Sequence, residues 1–276
     1  MPTLPSGQPP LPATEPHRSR DVAESFGADA TRYDRARPRY PDEVVQRIAA
    51  AAPEGDILDV GTGTGIAARQ LRAAGRRVLG VEPDPRMAEV ARGLGLEVDV
   101  ATFEDWDPVG RTFSAVVAAQ AWHWIDPVAG AAKAARVLHP GGVFAPFWNA
   151  FVFPPALADA VTDVCRRVMP DAPFDIAATA TRTVDGYRDL TTKAAEGVRK
   201  AGEFGETEHW QADWEWTYTR DAWLDQMPTL GAFTRTPPPV LARLLDGVGA
   251  AVDAMGGAFT MTYATIGLTA TRTGRS

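Results

Sequence analysis

Short aliphatic runs alternate with amphipathic stretches between residues 56 and 149. Mostly aliphatic runs without polar alternation, typical of strands that helices cover on both faces, occur at ILDV, VLGV and AVVAA. LEVDV, which a turn follows, and GVFAPFW also predict strands. Between the strands, helices are predicted over TGIAARQLRAAG, DPRMAEVARGLG and DPVAGAAKAARVLHPGG. This alternation predicts right-handed βαβ units on a parallel sheet.

The pattern changes after Asn149. Residues 151–205 predict helices and loops with no clear strand. HWQADWEWTYT then predicts a half-buried strand, one face of which carries Trp210, Ala212, Trp214, Trp216 and Tyr218. TRDAWLDQM and PPPVLARLLDGVGAAVDAM predict two more helices, and FTMTYATIGLTATR predicts a last strand beside the tryptophan-rich one. We therefore expect a core over 18–150, a helical substrate cover over 151–205, and closing strands and helices of the same domain over 206–276.

The N-terminal residues differ from the rest of the chain. Six prolines in MPTLPSGQPPLPATEP prevent a helix and leave little apolar surface to bury, so we expect residues 1–17 to form a disordered tail. This tail has neither the basic start nor the continuous apolar core of a secretory signal, so it does not indicate export. The stretch after it predicts a helical segment, in which Pro41 opens a helix and Asp42 and Glu43 suit the first turn.

Charge and composition narrow the classes of partner. The 276 residues carry a formal net charge of -7 and no long Lys/Arg run, so the basic surface typical of nucleic-acid-binding proteins is not expected. No apolar run approaches the length of about 18 residues that spans a membrane. The lone cysteine, Cys165, excludes an internal disulfide and fits a packed thiol. We expect a cytoplasmic monomer or homodimer with a small-molecule partner, no nucleic-acid or membrane partner and no metal site.

A glycine-rich turn follows the first predicted strand. LDVGTGTG places Gly61, Gly63 and Gly65 between a strand and a helix, where the backbone can approach a ligand closely, although an ordinary tight turn would use glycines too. The dinucleotide fingerprint G-x-G-x-x-G fails, because Ile66 stands where its third glycine belongs. Glu82, at the end of the next strand, offers a carboxylate that can accept both hydroxyls of an adenosine ribose.

Several motifs follow one another in a recognisable order: ILDVGTGTG, VLGVEPD, ATFEDW, FSAVVAAQAWHWID and ARVLHPGGVF. With them, roughly residues 22–149 resemble the class I S-adenosylmethionine-dependent methyltransferases, and F-x6-Y-x3-R-P-x-Y-P before them resembles their small-molecule (methyltransferase type 11-like) group. The resemblance implies an α/β fold: a Rossmann-like, doubly wound, seven-stranded, mostly parallel sheet with an antiparallel last strand, an N-terminal helical segment and a helical lid. It implies S-adenosylmethionine as cofactor and S-adenosylhomocysteine as product.

The resemblance also implies a cofactor site at the carboxyl ends of the first strands. Gly61, Gly63 and Gly65 would form the bend under the methionine part, Asp59 would orient that loop or the amino group, and Glu82 would hold the ribose. The other implied cofactor contacts are Tyr33, Arg37, Pro83, Met87, Thr102, Phe103, Glu104 and Gln120. Thr102 departs from the family, which usually has an acidic residue there, so adenine binding would use its hydroxyl or Glu104.

Three residues of this region have structural alternatives. Met87 fits ordinary packing of its helix against the sheet as well as contact with adenine. Asp84 fits a helix N-cap, which we favour, because DPRM presents an acceptor and then a proline in the first turn. Arg37 could close over the cofactor or the acceptor, or pair with a surface carboxylate instead.

His123 and Tyr33 are the candidate catalytic residues. His123 follows the fourth strand, at the edge where open α/β sheets bind ligands, and fits either a general base or a ring that only shapes the pocket. Tyr33 could close over the cofactor or the acceptor. Aromatic surface at this edge suits a flat, partly apolar acceptor, and the candidate substrate-binding residues are Trp122, Trp124, Trp148 and Phe151.

The residues and the resemblance together predict an enzyme that transfers a methyl group to an O, N or C nucleophile of a small, aromatic or otherwise planar metabolite, as in secondary metabolism. The transfer would be a direct in-line displacement, and because the sulfonium is already an electrophile, a base is not obligatory. Two alternatives stay open: a tRNA-modifying methyltransferase, which the acidic balance disfavours, and a non-catalytic module that binds the cofactor.

Overall fold

A computed structural model describes residues 25–170 and 183–274. The strands in this part of the chain are β1 (Ile57–Val60), β2 (Val78–Glu82), β3 (Glu97–Val100), β4 (Phe113–Ala119), β5 (Leu138–Val152), β6 (Glu208–Thr219) and β7 (Ala258–Thr271). They form one sheet in the order β3-β2-β1-β4-β5-β7-β6, in which β7 is antiparallel to both neighbours and every other pairing is parallel. The predicted fold class is confirmed. The predicted tail, residues 1–17, lies outside the described residues, as do positions 171–182 of the predicted cover.

Helices flank the sheet: α1 (Ala30–Ala36), α2 (Asp42–Ala51), α3 (Ile66–Ala73), α4 (Pro85–Gly93), α5 (Pro127–Val137), α6 (Pro155–Val168), α7 (Arg188–Ala201), α8 (Arg220–Gln226) and α9 (Pro238–Ala254). They lie where helices are predicted. The prediction over DPVAGAAKAARVLHPGG is wrong at its end, because the helix stops at Val137 and residues 138–142 belong to β5. Pro140 has no N–H to donate within a helix, and Leu138 pairs instead with Phe113 of β4.

Polar side chains cap the helices that begin after β2 and β4. Asp84 accepts a hydrogen bond from the Arg86 amide at 2.9 Å, and Pro85 follows it in the first turn of α4. The preferred interpretation of Asp84 as an N-cap is therefore confirmed. Asp126 caps α5 in the same way, accepting from the Val128 amide at 2.9 Å. Each cap contributes about 1 kcal/mol and determines where the loop after the strand ends.

Apolar side chains on both faces of the sheet form the core. Leu58 and Phe144 pack beneath α5 and α7 on one face, and Ile57 and Val117 pack beneath α2, α3 and α4 on the other. A third cluster joins α6, α8 and α9 to the ends of β6 and β7. It includes Cys165, whose predicted packing is confirmed, and burial raises the pKa of this thiol to about 11. Within the described ranges, no helix combines the length and the apolar surface needed to cross a membrane.

The segment predicted as a substrate cover, residues 151–205, reaches two different places. α6 packs against α9 beside the ends of β5 and β7. α7 instead packs along α5, where Gly197 permits close approach: a Cβ on this residue would lie 2.2 Å from the carbonyl oxygen of Pro127. In the described part of the segment, the residues that reach the cavity discussed below are Phe151, Phe153, Val161 and Tyr187.

Candidate functional site

A cavity of about 400 Å³ opens at the carboxyl ends of β1, β2, β4 and β5. Loops that follow β1, β2 and β3 bound one half of it, and this half is lined by Gly61, Gly63, Glu82, Pro83, Asp84, Met87, Thr102, Phe103 and Glu104. Aromatic and aliphatic side chains bound the other half, chiefly Phe26, Trp124, Phe151, Phe153, Trp223, Met227, Leu230 and Phe233. The volume falls within the range of about 300–1,000 Å³ that is usual for small-molecule sites, and the crevice beyond the strand ends is where open α/β sheets bind ligands.

Most of the predicted site residues line this cavity: Tyr33, Arg37, Gly61, Gly63, Glu82, Pro83, Met87, Thr102, Phe103, Glu104, Gln120, His123, Trp124 and Phe151. Asp59 and Gly65 lie beneath the lining. Trp122 and Trp148 also lie outside it, because both indoles are almost fully buried in the core beneath α5 and α7. The roles assigned to all these residues stay predictions.

The three glycines after β1 have positive φ angles of 67°, 58° and 83° at Gly61, Gly63 and Gly65. Their surroundings differ. A Cβ on Gly65 would lie 2.0 Å from Leu96 Cδ1, so this glycine permits packing beneath the site. A Cβ on Gly63 would meet Met87 Cε at 3.5 Å, an ordinary contact on the cavity side. Gly63, unlike Gly65, therefore leaves its backbone open to a ligand.

The Glu82 carboxylate joins the loops after β1 and β2. Oε2 accepts a hydrogen bond from the Gly63 amide at 2.8 Å, and Oε1 accepts one from the Asp84 amide at 3.0 Å. Burial raises the pKa of Glu82 to about 7, although both hydrogen bonds favour the ionised form. The side chain lines the cavity, so it remains available to a ligand that donates hydrogen bonds.

Asp59 lies beneath the glycine loop, with 1% of its surface exposed. The Thr62 hydroxyl donates to its Oδ2 at 2.7 Å, so the carboxylate is attached to the loop itself. Burial raises the pKa of Asp59 to about 7, and the nearby Glu82 charge raises it further. The Thr62 hydroxyl and the amide of Ala68 act in the opposite direction, because both favour the ionised form.

The loop after β3 uses the Thr102 hydroxyl internally. Thr102 donates to Asp105 Oδ2 at 2.8 Å and accepts from the Asp105 amide at 3.2 Å. Of the two groups suggested for adenine binding, the Thr102 hydroxyl is therefore already engaged, and Glu104 is the exposed one.

Sequence reasoning missed Lys133. Its buried Nζ donates to the backbone carbonyls of Glu104, at 2.9 Å, and Trp106, and thereby holds this loop from α5.

Gln120 follows β4 in a conformation that few residues adopt. Its φ is 61°, in the left-handed region that costs a non-glycine residue free energy. The neighbouring strand holds it there: its amide donates to Phe147 O at 2.8 Å, and its side-chain Nε2 donates to Asn149 O at 3.3 Å. This strained residue lies in the middle of the cavity wall, where β4 and β5 end.

His123 lies in a short 3-10 turn, Trp122–Trp124. Trp148 Nε1 donates a hydrogen bond to its Nδ1 at 3.1 Å, and Trp124 packs on its ring with a centroid distance of 4.6 Å. An indole N–H can only donate, so Nδ1 is the unprotonated nitrogen. Burial lowers the pKa of His123 to about 4. The ring is therefore neutral near pH 7, with its hydrogen on Nε2.

Asn149 also lines the cavity, and sequence reasoning missed it. Its Oδ1 accepts from the Thr265 hydroxyl at 2.7 Å, and Thr265 Oγ1 in turn accepts from Trp214 Nε1 at 3.0 Å. The available signal was a single amide in the aromatic run FWNAF at the carboxyl end of a strand. The partners that orient it, on β6 and β7, left no local signal.

The N-terminal helical segment closes one side of the cavity. Arg37 lies 4.8 Å from the centroid of the Tyr33 ring, and both residues line the cavity. The Arg37 Nε donates to Thr229 Oγ1 at 2.9 Å, so the guanidinium is held by Thr229 rather than by a surface carboxylate. Arg35 forms a bidentate pair with Asp225 at 2.9 and 2.8 Å. These contacts attach α1 to α8 and to the turn after it.

Comparisons with known proteins find similarity to methyltransferases. The family model described as "Methyltransferase domain" matches residues 58–145. An uncharacterized methyltransferase of Mycobacterium tuberculosis is 40% identical over 133 residues, which are 47% of this chain and 54% of that protein. The ubiquinone biosynthesis O-methyltransferase of Methylocella silvestris is 36% identical over 94 residues, 32% of this chain and 37% of that protein. The chain thus spans about half the length of the mycobacterial relative and a smaller share of the other.

A solved structure extends the likeness beyond the matched segment. A protein of Anaeromyxobacter dehalogenans, provisionally classed as a type II methyltransferase, is 29% identical with a TM-score of 0.60. The similarity covers 86% of this chain and 97% of that one. The likeness therefore extends well beyond the residues of the family model.

Proposed function

We propose that this chain is a class I S-adenosylmethionine-dependent methyltransferase that methylates a small, largely apolar and planar metabolite. Its cofactor is S-adenosylmethionine. The observation that supports the proposal best is a single cavity with two unlike halves. A half built from a glycine loop and a buried carboxylate meets a half built from aromatic side chains at the ends of β4 and β5.

The residues present fit S-adenosylmethionine. The Glu82 carboxylate borders the cavity and can accept from the ribose hydroxyls, and the open face of Gly63 allows the methionine part to approach the backbone. Met87 and Phe103 would pack on the adenine, since both line the same half of the cavity.

When bound, the cofactor supplies a methyl group on a positively charged sulfur, so that the acceptor's lone pair forms the new bond as the carbon–sulfur bond breaks. The chain's own residues need only position the acceptor and exclude water. Phe151, Phe153, Trp223 and Leu230 provide an apolar surface for this, and Trp124 adds a ring beside the strand ends. These aromatic faces suit a flat acceptor better than a chain-like one. The acceptor atom is an O, N or C nucleophile of that metabolite.

Two observations favour a small molecule over tRNA. The formal net charge of -7 opposes binding to a phosphate backbone. The cavity also lies beneath α1 and residues 227–233, so an acceptor must enter a bounded space. A gel shift with bulk tRNA at low salt tests this choice, and retarded tRNA would contradict it.

Calorimetry with S-adenosylhomocysteine tests the cofactor site. We expect the wild-type protein to bind and Gly63→Arg to lose measurable binding, because the long side chain would fill the cofactor half of the cavity. Gly75→Arg is the matched control: Gly75 also has a positive φ, 87°, but no atom lies within 4 Å of an added Cβ. Wild-type protein that ignores millimolar S-adenosylhomocysteine would refute the proposal. Formation of S-adenosylhomocysteine over a metabolite panel then separates an enzyme from a non-catalytic module.

A further inference from the structure

One carboxylate connects α1 to the glycine loop. Asp34 Oδ1 accepts a hydrogen bond from the Thr64 hydroxyl at 2.9 Å and another from the Arg69 guanidinium. Thr64 stands between Gly63 and Gly65 and is 1% exposed. Arg69 Nε in turn donates to the Gly65 carbonyl at 3.2 Å. Asp34 therefore holds the loop in two ways, directly at Thr64 and through the Arg69 side chain.

The residues on either side of Asp34 reach the cavity and the wall of its acceptor half. Tyr33 lines the cavity and meets the ring of Phe26, in the acceptor half, at a centroid distance of 6.1 Å. Arg35 forms its bidentate pair with Asp225 of α8, which lies outside the cavity lining. Three consecutive residues of one short helix thus contact the cavity, the glycine loop of the cofactor half and a helix beside the acceptor half.

Polar contacts, rather than apolar burial, hold α1 in place. Of its seven residues, Ala30 is the single buried one. The Arg35 side chain, which attaches α1 to α8, is exposed to solvent. An element with few buried apolar contacts opens locally at a low cost in free energy. Because α1 also borders the cavity, its docking can respond to what the cavity holds.

The glycine loop can pass the state of the cofactor half on to α1. Its three glycines all have positive φ, and without a ligand a loop rich in glycine has more conformations than other residues would allow. A ligand that packs on the open backbone of Gly63 restricts these conformations. The Thr64 hydroxyl, one residue further along the loop, is then held where Asp34 can accept from it. Ordering of the loop and docking of α1 therefore favour each other.

We propose that Asp34 is a positioning residue that couples cofactor binding to the docking of α1, through its hydrogen bond with Thr64. The inference rests on the proposed function and assigns a regulation to the same site. By linkage, the cofactor strengthens docking of α1 by the same factor by which docking strengthens cofactor binding. Phe26, which precedes α1 and lines the acceptor half, then takes its place chiefly in the cofactor-bound enzyme.

Calorimetry with S-adenosylhomocysteine on the full chain tests the coupling from both ends of α1. Asp34→Ala should weaken binding by about tenfold. Asp225→Ala removes the exposed pair with Arg35 without touching the glycine loop, and it should weaken binding by about twofold to fivefold. In the Asp34→Ala background, Asp225→Ala should have no further effect, because α1 is no longer coupled to the loop. Asp253→Ala is the matched control: it removes an ion pair with Arg220, 3.1 Å long, and should leave the affinity unchanged.

Hydrogen exchange of the α1 amides separates coupling from a merely structural role. Saturating S-adenosylhomocysteine should slow their exchange by about tenfold in the wild type and in Thr64→Ser, which keeps the hydroxyl. It should not do so in Thr64→Val, which has nearly the same shape and no hydroxyl.

Three results would overturn the inference: wild-type affinity in Asp34→Ala, an undiminished effect of Asp225→Ala in the Asp34→Ala background, or equal slowing of exchange in Thr64→Val and the wild type. In each of them the wild-type protein still binds S-adenosylhomocysteine, so the proposed function would stand.

Discussion

The buried carboxylate of Glu82 should make the affinity for S-adenosylhomocysteine depend on pH. Burial raises the pKa of Glu82 to about 7, so the side chain changes its charge within the working range of most enzymes. Two backbone amides already donate to its oxygens, and ribose hydroxyls would add further donors. A protonated carboxyl must place its own hydrogen among these donors, so the bound state favours the ionised form.

The magnitude follows from the ionised fraction. A group with a pKa of about 7 is ionised to roughly 10% at pH 6 and roughly 90% at pH 8. If only the ionised form binds, the apparent Kd at pH 6 is about tenfold weaker than at pH 8, or about 1.4 kcal/mol. Glu82→Gln should remove this tenfold difference in Kd between pH 6 and pH 8. It should also weaken binding at every pH, because glutamine offers one acceptor oxygen to the two amides of Gly63 and Asp84. Without the Glu82 charge, the pKa of Asp59 should fall as well.

Calorimetry across this pH range, repeated in buffers of different ionisation enthalpy, measures both the affinity and the protons released on binding. Wild-type protein should release nearly one proton per ligand at pH 6 and almost none at pH 8. Glu97→Gln, at an exposed position on the neighbouring β3, should keep the wild-type slope. An affinity that is flat from pH 6 to 8, or an unchanged slope in Glu82→Gln, would refute the role of this carboxylate.

Two further predictions concern stability. Without ligand, the free energy of unfolding should fall by up to about 4 kcal/mol as pH rises from 4 to 7. The reason is that folded Asp59, with a pKa of about 7, keeps a proton that the unfolded chain releases near pH 3.8. Urea titrations across this pH range should show a flatter profile for Asp59→Asn. Gly65→Ala should destabilise the fold by about 1–3 kcal/mol more than Gly75→Ala. Both glycines have a positive φ, but only an alanine at position 65 would place its Cβ against Leu96. Equal losses of stability in chemical denaturation would contradict this packing argument.

The elements of the fold were predictable because their signals are local. A mostly aliphatic run such as ILDV, Ile57–Val60, indicates a strand covered on both faces without reference to its partner strands. Asp84 and Asp126 indicate helix starts together with the residues that directly follow them. The start of β5 was not predictable in this way. Leu138 continues a helical pattern, and it becomes strand only because Phe113, twenty-five positions earlier, offers a pairing edge.

The candidate site was also predictable only where its residues belong to local motifs. The glycine loop and Glu82 belong to motifs of a few residues, and both line the cavity where they were expected. For the tryptophans, proximity to a strand end did not determine the side that each ring faces. Trp124 faces the cavity, whereas Trp122 packs against Phe144 at a centroid distance of 4.5 Å. Asn149 was missed because the groups that orient it come from β6 and β7, more than sixty positions away.

His123 as a general base and His123 as a ring that only shapes the pocket both stay predictions, and the hydrogen bond to its ring bears on the choice between them. A histidine acts as a base through a free lone pair, and here a buried indole occupies that lone pair. What the ring offers the cavity is a hydrogen on Nε2. Methyl transfer from an activated donor needs a positioned nucleophile more than it needs a base. Trp148, which lies outside the cavity lining, therefore determines which nitrogen of a lining residue carries the hydrogen, and nitrogen NMR of labelled imidazoles should show both tautomers of His123 in Trp148→Phe.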